Sequence, residues 1–308
     1  MSKQLITVGN IYFDHTIFGV DLGGHNSIQP GYEYSAESGE IVVGGSAVNV
    51  ALQAVALDMD VSFVGKVGDD ESGREVRRLL EEKNIVPSLI VSSDDTTCIA
   101  VNLVIKDPSE HVSTYYGKAA KNLSTADFNL ESSLFNNGGL IYFGGTAKQE
   151  KLFNQLPELF SALKSKGFTI FFDPNRFPAG KENSSSDKIS NALPYVDYYM
   201  PNNTEIMQFA NSDSVDDAID FAISKGAKNV IVKNGPKGCL VRNDDVNQAV
   251  DGLKVTPITT VGAGDCFNAA FISQIAKDVN PLDAAVFANK CASIKVSQNI
   301  WPTEENLT

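Results

Sequence analysis

The sequence predicts an α/β fold: a doubly wound, mostly parallel sheet with helices on both faces and a small β-sheet lid. Short β-rich runs alternate with amphipathic helical patterns along most of the 308 residues, which is the rhythm of right-handed β-α-β units. Two segments, at about 16–43 and 94–120, break that rhythm and lack helical periodicity.

Taken in order, Leu5 to Val8 is a short apolar run closing on Gly9, a first strand. Val48 to Leu57 is small and apolar at helical spacing, Val61 to Val64 reads as a strand, and Glu71 to Lys83 as a charged amphipathic helix. Leu140 to Phe143, Phe168 to Phe172 and Val196 to Met200 are further β-rich runs, with helical patterns at about 149–165 and 203–225. Asn229 to Val232 adds a strand, and helices over about 263–277 and 281–296 close the chain. Within the two interruptions, residues 16–43 are rich in Gly and polar side chains, while residues 96–117 alternate Thr, Ile, Val, Leu and Tyr as antiparallel strands do. Surface hairpins would read the same way. The expectation adopted is one principal domain over residues 1–308 carrying a discontinuous lid.

Composition narrows the function. Hydrophobic residues make up 43% and charged residues 20%, an ordinary globular balance. No run of about eighteen apolar residues occurs, and Met-Ser-Lys-Gln leads straight into a β-like stretch. Neither a transmembrane helix nor a signal peptide is expected, and the cytoplasm is the expected location. Cys98, Cys239, Cys266 and Cys291 are scattered, as reduced and buried thiols are. Three histidines make a His-rich metal site unexpected. The net charge of −13, without a dense Lys/Arg cluster, argues against nucleic-acid or anionic-membrane partners. A nucleotide ligand stays compatible, because backbone N–H groups and magnesium can hold phosphates whatever the global charge.

Two glycine motifs carry the chemistry. Gly262-Ala263-Gly264-Asp265 precedes the helical run Cys266-Phe267-Asn268-Ala269. Small residues at a helix start let first-turn N–H groups face an anion, where the helix dipole adds positive charge. Such a cradle suits a phosphoryl group in flight, with Asp265 placed to take the proton of an attacking hydroxyl. The same residues also fit a plain Gly turn followed by an Asp that complements the dipole. Gly44-Gly45-Ser46-Ala47-Val48-Asn49 opens the earlier helix. There Asn49 either offers a donor and an acceptor to a vicinal diol or simply caps a tightly packed helix.

With both motifs in this order, the chain resembles the PfkB, or ribokinase-like, carbohydrate and nucleoside kinases over essentially its whole length. The first signature of that family is similar to Gly44 through Asn49 with Gly65-Lys66-Val67-Gly68-Asp69-Asp70, the second to Gly262 through Asp265. The resemblance implies ATP as co-substrate, magnesium, and phosphoryl transfer to a hydroxymethyl group with Asp265 as base. It implies acceptor binding by Asp14 in Gly9-Asn10-Ile11-Tyr12-Phe13-Asp14, with Tyr12, Gly44, Gly45 and Asn49 nearby. Asp173-Pro174-Asn175-Arg176 resembles a family strand end near the transfer site, making Arg176 a further candidate. Asn202 and Glu205 in Pro201-Asn202-Asn203-Thr204-Glu205 resemble the pair that organises magnesium and its waters. Their spacing equally fits an Asn cap with an acidic first turn. Lys233, Gly235 and Gly238 resemble the nucleotide-binding turn, usually written with Thr where Lys233 stands. Asn289 matches a stretch that flanks adenine, or is a polar residue on an exposed helix face. A homodimer through the lid is a family habit.

The departures restrict the substrate. The family usually has Asp where Thr259 stands, as part of a monovalent-cation site completed by a Gly-containing turn after the last helix. Here that turn reads Ser297-Gln298-Asn299-Ile300-Trp301, so potassium dependence is doubtful. Tyr12 and Ser46 stand where ribokinases tend to carry Asn and Lys, which leaves ribose unsupported. Gly144-Gly145-Thr146-Ala147 replaces a stretch typical of phosphosugar kinases, which argues against a fructose phosphate. The expectation is a free sugar or sugar-like acceptor, with a nucleoside as alternative. A family member without catalysis, serving as a binding or structural subunit, is the alternative of another class, though Asp265 and its glycines are intact. A dinucleotide-dependent oxidoreductase would need G-x-G-x-x-G after the first strand, and Gly9-Asn10-Ile11-Tyr12 lacks it.

Overall fold

The computed structural model describes residues 4–25, 27–106, 111–175 and 182–307. Its strands are β1 (Leu5–Gly9), β2 (Tyr12–Val20), β3 (Ser38–Gly44), β4 (Val61–Gly68), β5 (Ile85–Ser92), β6 (Ile99–Ile105) and β7 (His111–Tyr116). They continue with β8 (Gly139–Gly144), β9 (Phe168–Asp173), β10 (Tyr198–Tyr199), β11 (Asn229–Lys233), β12 (Cys239–Arg242) and β13 (Asn247–Val250). The α-helices are α1 (Ser46–Ala56), α2 (Glu71–Glu82), α3 (Glu150–Asn154), α4 (Leu156–Ser165) and α5 (Glu182–Ala192). After them come α6 (Asn203–Ala210), α7 (Val215–Ser224), α8 (Ala263–Ala276) and α9 (Pro281–Gln298).

The large sheet runs β13-β12-β11-β10-β9-β8-β1-β4-β5, parallel except at the β11-β12-β13 edge. Strand residues alternate between two cores. Leu5, Tyr142 and Phe171 pack with the apolar faces of α1, α8 and α9. Ile6, Ile141, Phe143, Ile170 and Phe172 pack with α4, α6 and α7. Burial on both faces explains why these strands read as continuous apolar runs. From β1 the chain steps out through β4 and β5, then returns to build β8 to β11 on the other side. The order therefore reverses between β1 and β8, where Gly9 pairs with Gly144 at the strand ends. Open α/β sheets bind ligands at such a switch point, beyond the carboxyl ends of the strands.

The smaller sheet runs β3-β2-β6-β7, with β2–β3 and β6–β7 antiparallel and β2–β6 parallel. It is built from the two segments that interrupted the β-α rhythm, although β2 begins at Tyr12, earlier than expected. Tyr12, Phe13, Val43 and Ala100 turn toward the body and join its core, while Ile41, Val42, Tyr115 and Tyr116 are exposed.

Several elements differ from their sequence expectation. The 149–165 pattern is broken between α3 and α4 at Gln155, and the 203–225 pattern between α6 and α7. Pro157 in the first turn of α4 and Asn211 in a left-handed C-cap of α6 are the local causes. The Val196–Met200 strand shrinks to Tyr198–Tyr199. β5 and the β12–β13 hairpin had no counterpart in the periodicity. No helix among the described residues is long and apolar enough to cross a membrane.

Candidate active site

Helix α8 starts at Gly262, which has φ 75° and forms the N-cap. That left-handed conformation is one a side chain resists, and it sets the first-turn N–H groups of Ala263, Gly264 and Asp265 at the open helix end. Ala263 N–H is spent on Thr260 O at 3.3 Å. The N–H groups of Gly264 and Asp265 are first-turn donors without an acceptor within the helix.

Asp265 is held from α1. Ser46 Oγ donates to its Oδ1 at 2.6 Å and Asn49 Nδ2 to its Oδ2 at 2.8 Å. The two helix starts converge because α1 and α8 pack against each other, with the small residues Ala47, Ala51, Ala269 and Ala270 buried in one shared core. Burial pushes the Asp265 carboxyl up, the two donors pull it back, and nearby Asp173 raises it while Lys233 lowers it. The motif reading gave Asn49 to the acceptor, whereas here its amide N–H goes to Asp265.

A second set of buried polar groups continues from that carboxylate. The Tyr142 hydroxyl lies 3.4 Å from Ser46 Oγ and accepts from Asn268 Nδ2 at 3.2 Å. Asn268 Nδ2 also donates to Asp173 Oδ2 at 2.7 Å, and its Oδ1 accepts from Lys233 Nζ at 3.1 Å. Lys233 Nζ closes on Asp173 Oδ2 at 2.5 Å. Lys233 is thus engaged with a fully buried carboxylate at the end of β9, with its side-chain tip 3.8 Å from where a Cβ on Gly264 would lie. Burial holds the Tyr142 phenol well above its ordinary value, so it stays a neutral donor.

Asp14 projects from β2 of the smaller sheet over the end of β3. Its Oδ2 lies 1.9 Å from the Cβ position of Gly44, an approach only glycine permits. Its Oδ1 is buried without a hydrogen-bond partner. Burial raises the Asp14 carboxyl to about 6, against the opposing charge of Lys148. Tyr12, also on β2, is buried edge-on against Tyr115, ring centroids 5.6 Å apart. Gly45 is the N-cap of α1. Arg176 lies outside the described residues.

Asn202 and Glu205 form a reciprocal capping box at the start of α6. Glu205 N–H donates to Asn202 Oδ1, and Asn202 N–H to Glu205 Oε2, each at 2.9 Å. Burial, then the charge of Asp173, raises the Glu205 carboxyl to about 7, with Lys233 opposing. No group of three or more His, Cys, Asp and Glu side chains among the described residues is arranged to hold a metal ion. One carboxylate with a free oxygen beside an amide suits magnesium that keeps several waters and takes its other ligands from phosphates. The pair fits that role and not a dedicated protein cage.

The Gly235–Gly238 turn follows β11. It packs on the end of β13 and the residues just after it, where a Cβ on Gly238 would lie 2.0 Å from Val250 O. Asn289 is buried, not on an exposed face, and its Nδ2 donates to Val250 O at 3.3 Å and Asp251 O at 3.4 Å. Asn289, Val250, Asp251, Leu253, Val286 and Phe287 border a cavity of about 470 Å³.

Ser46, Tyr142, Asp173 and Asn268 are the groups that motif reading left without an assigned role. Each is a polar residue amid small or apolar neighbours in a buried element, which is the signal that can find them.

Comparison with known proteins places these features in a family. The chain matches the family described as pfkB family carbohydrate kinase over residues 9–299. It is 27% identical over 269 residues to fructokinase-1 of Zea mays, covering 83% of this chain and 82% of that protein. It is 24% identical over 280 residues to a ribokinase of Staphylococcus aureus, covering 88% of each. Its fold superposes on a fructokinase of Vibrio cholerae, crystallised with fructose, ADP and calcium ion, with a TM-score of 0.79 at 22% identity, covering 99% and 98% of the two chains. The match spans both glycine-led helix starts, the strands of the smaller sheet and the last helix, and the chain belongs to the pfkB family of carbohydrate kinases.

Proposed function

We propose that the protein transfers the terminal phosphoryl group of ATP to a hydroxymethyl group of a small free sugar or sugar-like acceptor. The observation that carries this reading is the Asp265 carboxylate at the open N-terminus of α8, fixed by Ser46 and Asn49. In that position it accepts the acceptor's proton as the hydroxyl oxygen attacks phosphorus. A carboxyl raised by burial is a better base than an exposed one. The first-turn N–H groups after Gly262 stabilise the negative charge on the moving phosphoryl group. Lys233 stands beside Gly264, and its ion pair with Asp173 keeps the ammonium in one place.

Asp14 Oδ1, buried and unpartnered, is placed to accept hydrogen bonds from sugar hydroxyls. Tyr12, Gly44 and Gly45 complete that side, with Arg176 as a further candidate from the sequence. The turn with Gly235 and Gly238, together with Asn289, would border the base of the nucleotide at the cavity by α9. Magnesium, when bound, neutralises phosphate charge, and Asn202 with Glu205 would hold its waters. The lid sheet shields the acceptor from bulk water. Two copies are proposed to pair through the exposed lid residues Ile41, Tyr115 and Tyr116, which light scattering would decide.

The test is ADP release by purified protein across free sugars, sugar acids and nucleosides. Acceptor-dependent ADP and a phosphorylated sugar are expected. Turnover confined to nucleosides would move the acceptor class, and no turnover with any acceptor would favour a non-catalytic role.

A further inference from the structure

Lys295, on α9, is only 7% exposed. A lysine this buried ordinarily faces a carboxylate. Here the ammonium is held by Asn299 Oδ1 at 2.9 Å and lies 4.3 Å from the centroid of the Trp301 ring. Among the described residues it forms no ion pair. Its two partners come from the turn that ends its own helix and the segment just beyond.

That turn forms the back wall of the glycine cradle. A Cβ on Gly262 would lie 3.0 Å from the Trp301 ring and 3.4 Å from Lys295 Cε. Ile258 and Thr259 donate their N–H groups to Val296 O at 2.8 and 3.2 Å, tying the segment entering the Gly262 turn to the residue next to Lys295. Two lysines therefore flank the start of α8. Lys233 is neutralised by Asp173, whereas Lys295 carries a buried charge without an opposite one. Such a charge is costly without an opposite one, and an anion at the first turn of α8 would offset that cost.

We propose that Lys295 is a positioning residue for phosphoryl transfer. It is a tethered cation behind Gly262, which holds the Gly262–Gly264 turn in shape and supplies positive charge there without a bound monovalent ion. The assignment rests on reading Gly262–Gly264 as the phosphate cradle.

The test uses the whole protein and the variants Lys295→Met and Lys295→Arg, with ATP binding by calorimetry, melting temperature and steady-state kinetics. Lys295→Met should lower kcat about 10-fold or more, equivalent to about 1.4 kcal/mol of barrier. Acceptor KM should stay within about twofold, and the melting temperature should hold or rise as the uncompensated charge disappears. Lys295→Arg should keep most of the turnover. Wild-type rates should match in potassium and tetramethylammonium salts at constant ionic strength. Several-fold activation of the wild type by potassium would overturn the proposal, a result that does not depend on any variant folding. Normal turnover in a folded Lys295→Met protein, or equal losses in both variants, would overturn it as well. Failure of the wild type to bind ATP at all would instead remove the cradle assignment beneath it.

Discussion

Replacing Asp14 by Asn should make the protein more stable and a poorer enzyme, with a pH dependence that identifies the cause. Burial raises the Asp14 carboxyl from the usual 3.8 to about 6, and one of its oxygens is unpartnered. A shift of about two units corresponds to about 3 kcal/mol of penalty on the charged form. Asp14 keeps some contact with solvent, so screening reduces this to about 1–2 kcal/mol. At about pH 8 the carboxylate is charged in both folded and unfolded chains, and the whole penalty is present. As pH falls through about 6 the folded chain takes up its proton first, so the penalty roughly halves by about pH 5 and vanishes below the unfolded value. Asp14→Asn should therefore raise the melting temperature by about 2–3 °C at about pH 8, and by about half as much near pH 5. With a charged partner lost to the acceptor's hydroxyls, kcat/KM for the acceptor should fall by about 10- to 100-fold, from about 1.5–3 kcal/mol. Thermal unfolding at the two pH values and acceptor kinetics measure both effects. An equal gain at both pH values, or none, would refute burial of the charge as the cause. Weakened ATP binding with normal acceptor kinetics would move the acceptor elsewhere.

Two further outcomes follow from the buried network. Lys233→Met leaves Asp173 buried without its ion pair and should cost about 3–5 kcal/mol in chemical denaturation. Adding Asp173→Asn should recover a large part, and a strictly additive double variant would show that the two are not coupled. Glu205, raised to about 7, is protonated below that value, so affinity for magnesium–ATP should rise between about pH 6 and 8 in the wild type. Glu205→Gln should flatten that rise, and an unchanged profile would remove Glu205 from the nucleotide's surroundings.

Much of the architecture was legible because its signals are local. Leu5–Gly9 and Phe168–Asp173 read as buried strands from uninterrupted apolar runs, and Glu71–Glu82 as a helix from its charged stripe. The smaller sheet was legible as a break in rhythm, but its parallel β2–β6 pairing joins residues about 85 positions apart and has no local signature. The candidate site divides the same way. Gly262–Asp265 and Gly44–Asn49 announce themselves as glycine-led helix starts. That Ser46 and Asn49 both serve Asp265 depends on two helices meeting across more than 200 positions. Tyr142, Asn268 and Lys295 each look unremarkable in sequence. Only packing turns them into a buried hydroxyl, a buried amide and an unpaired cation.

The central claim, that Asp265 activates the acceptor's hydroxyl, is tested most directly by the turnover of a folded Asp265→Asn protein. The side chain keeps its shape and can still face Ser46 and Asn49, but it cannot take a proton. With the acceptor found by the ADP-release screen, kcat should fall by about 10² to 10⁴, the usual worth of a positioned base, while ATP binding by calorimetry changes little. Near-normal turnover in that variant would contradict the account.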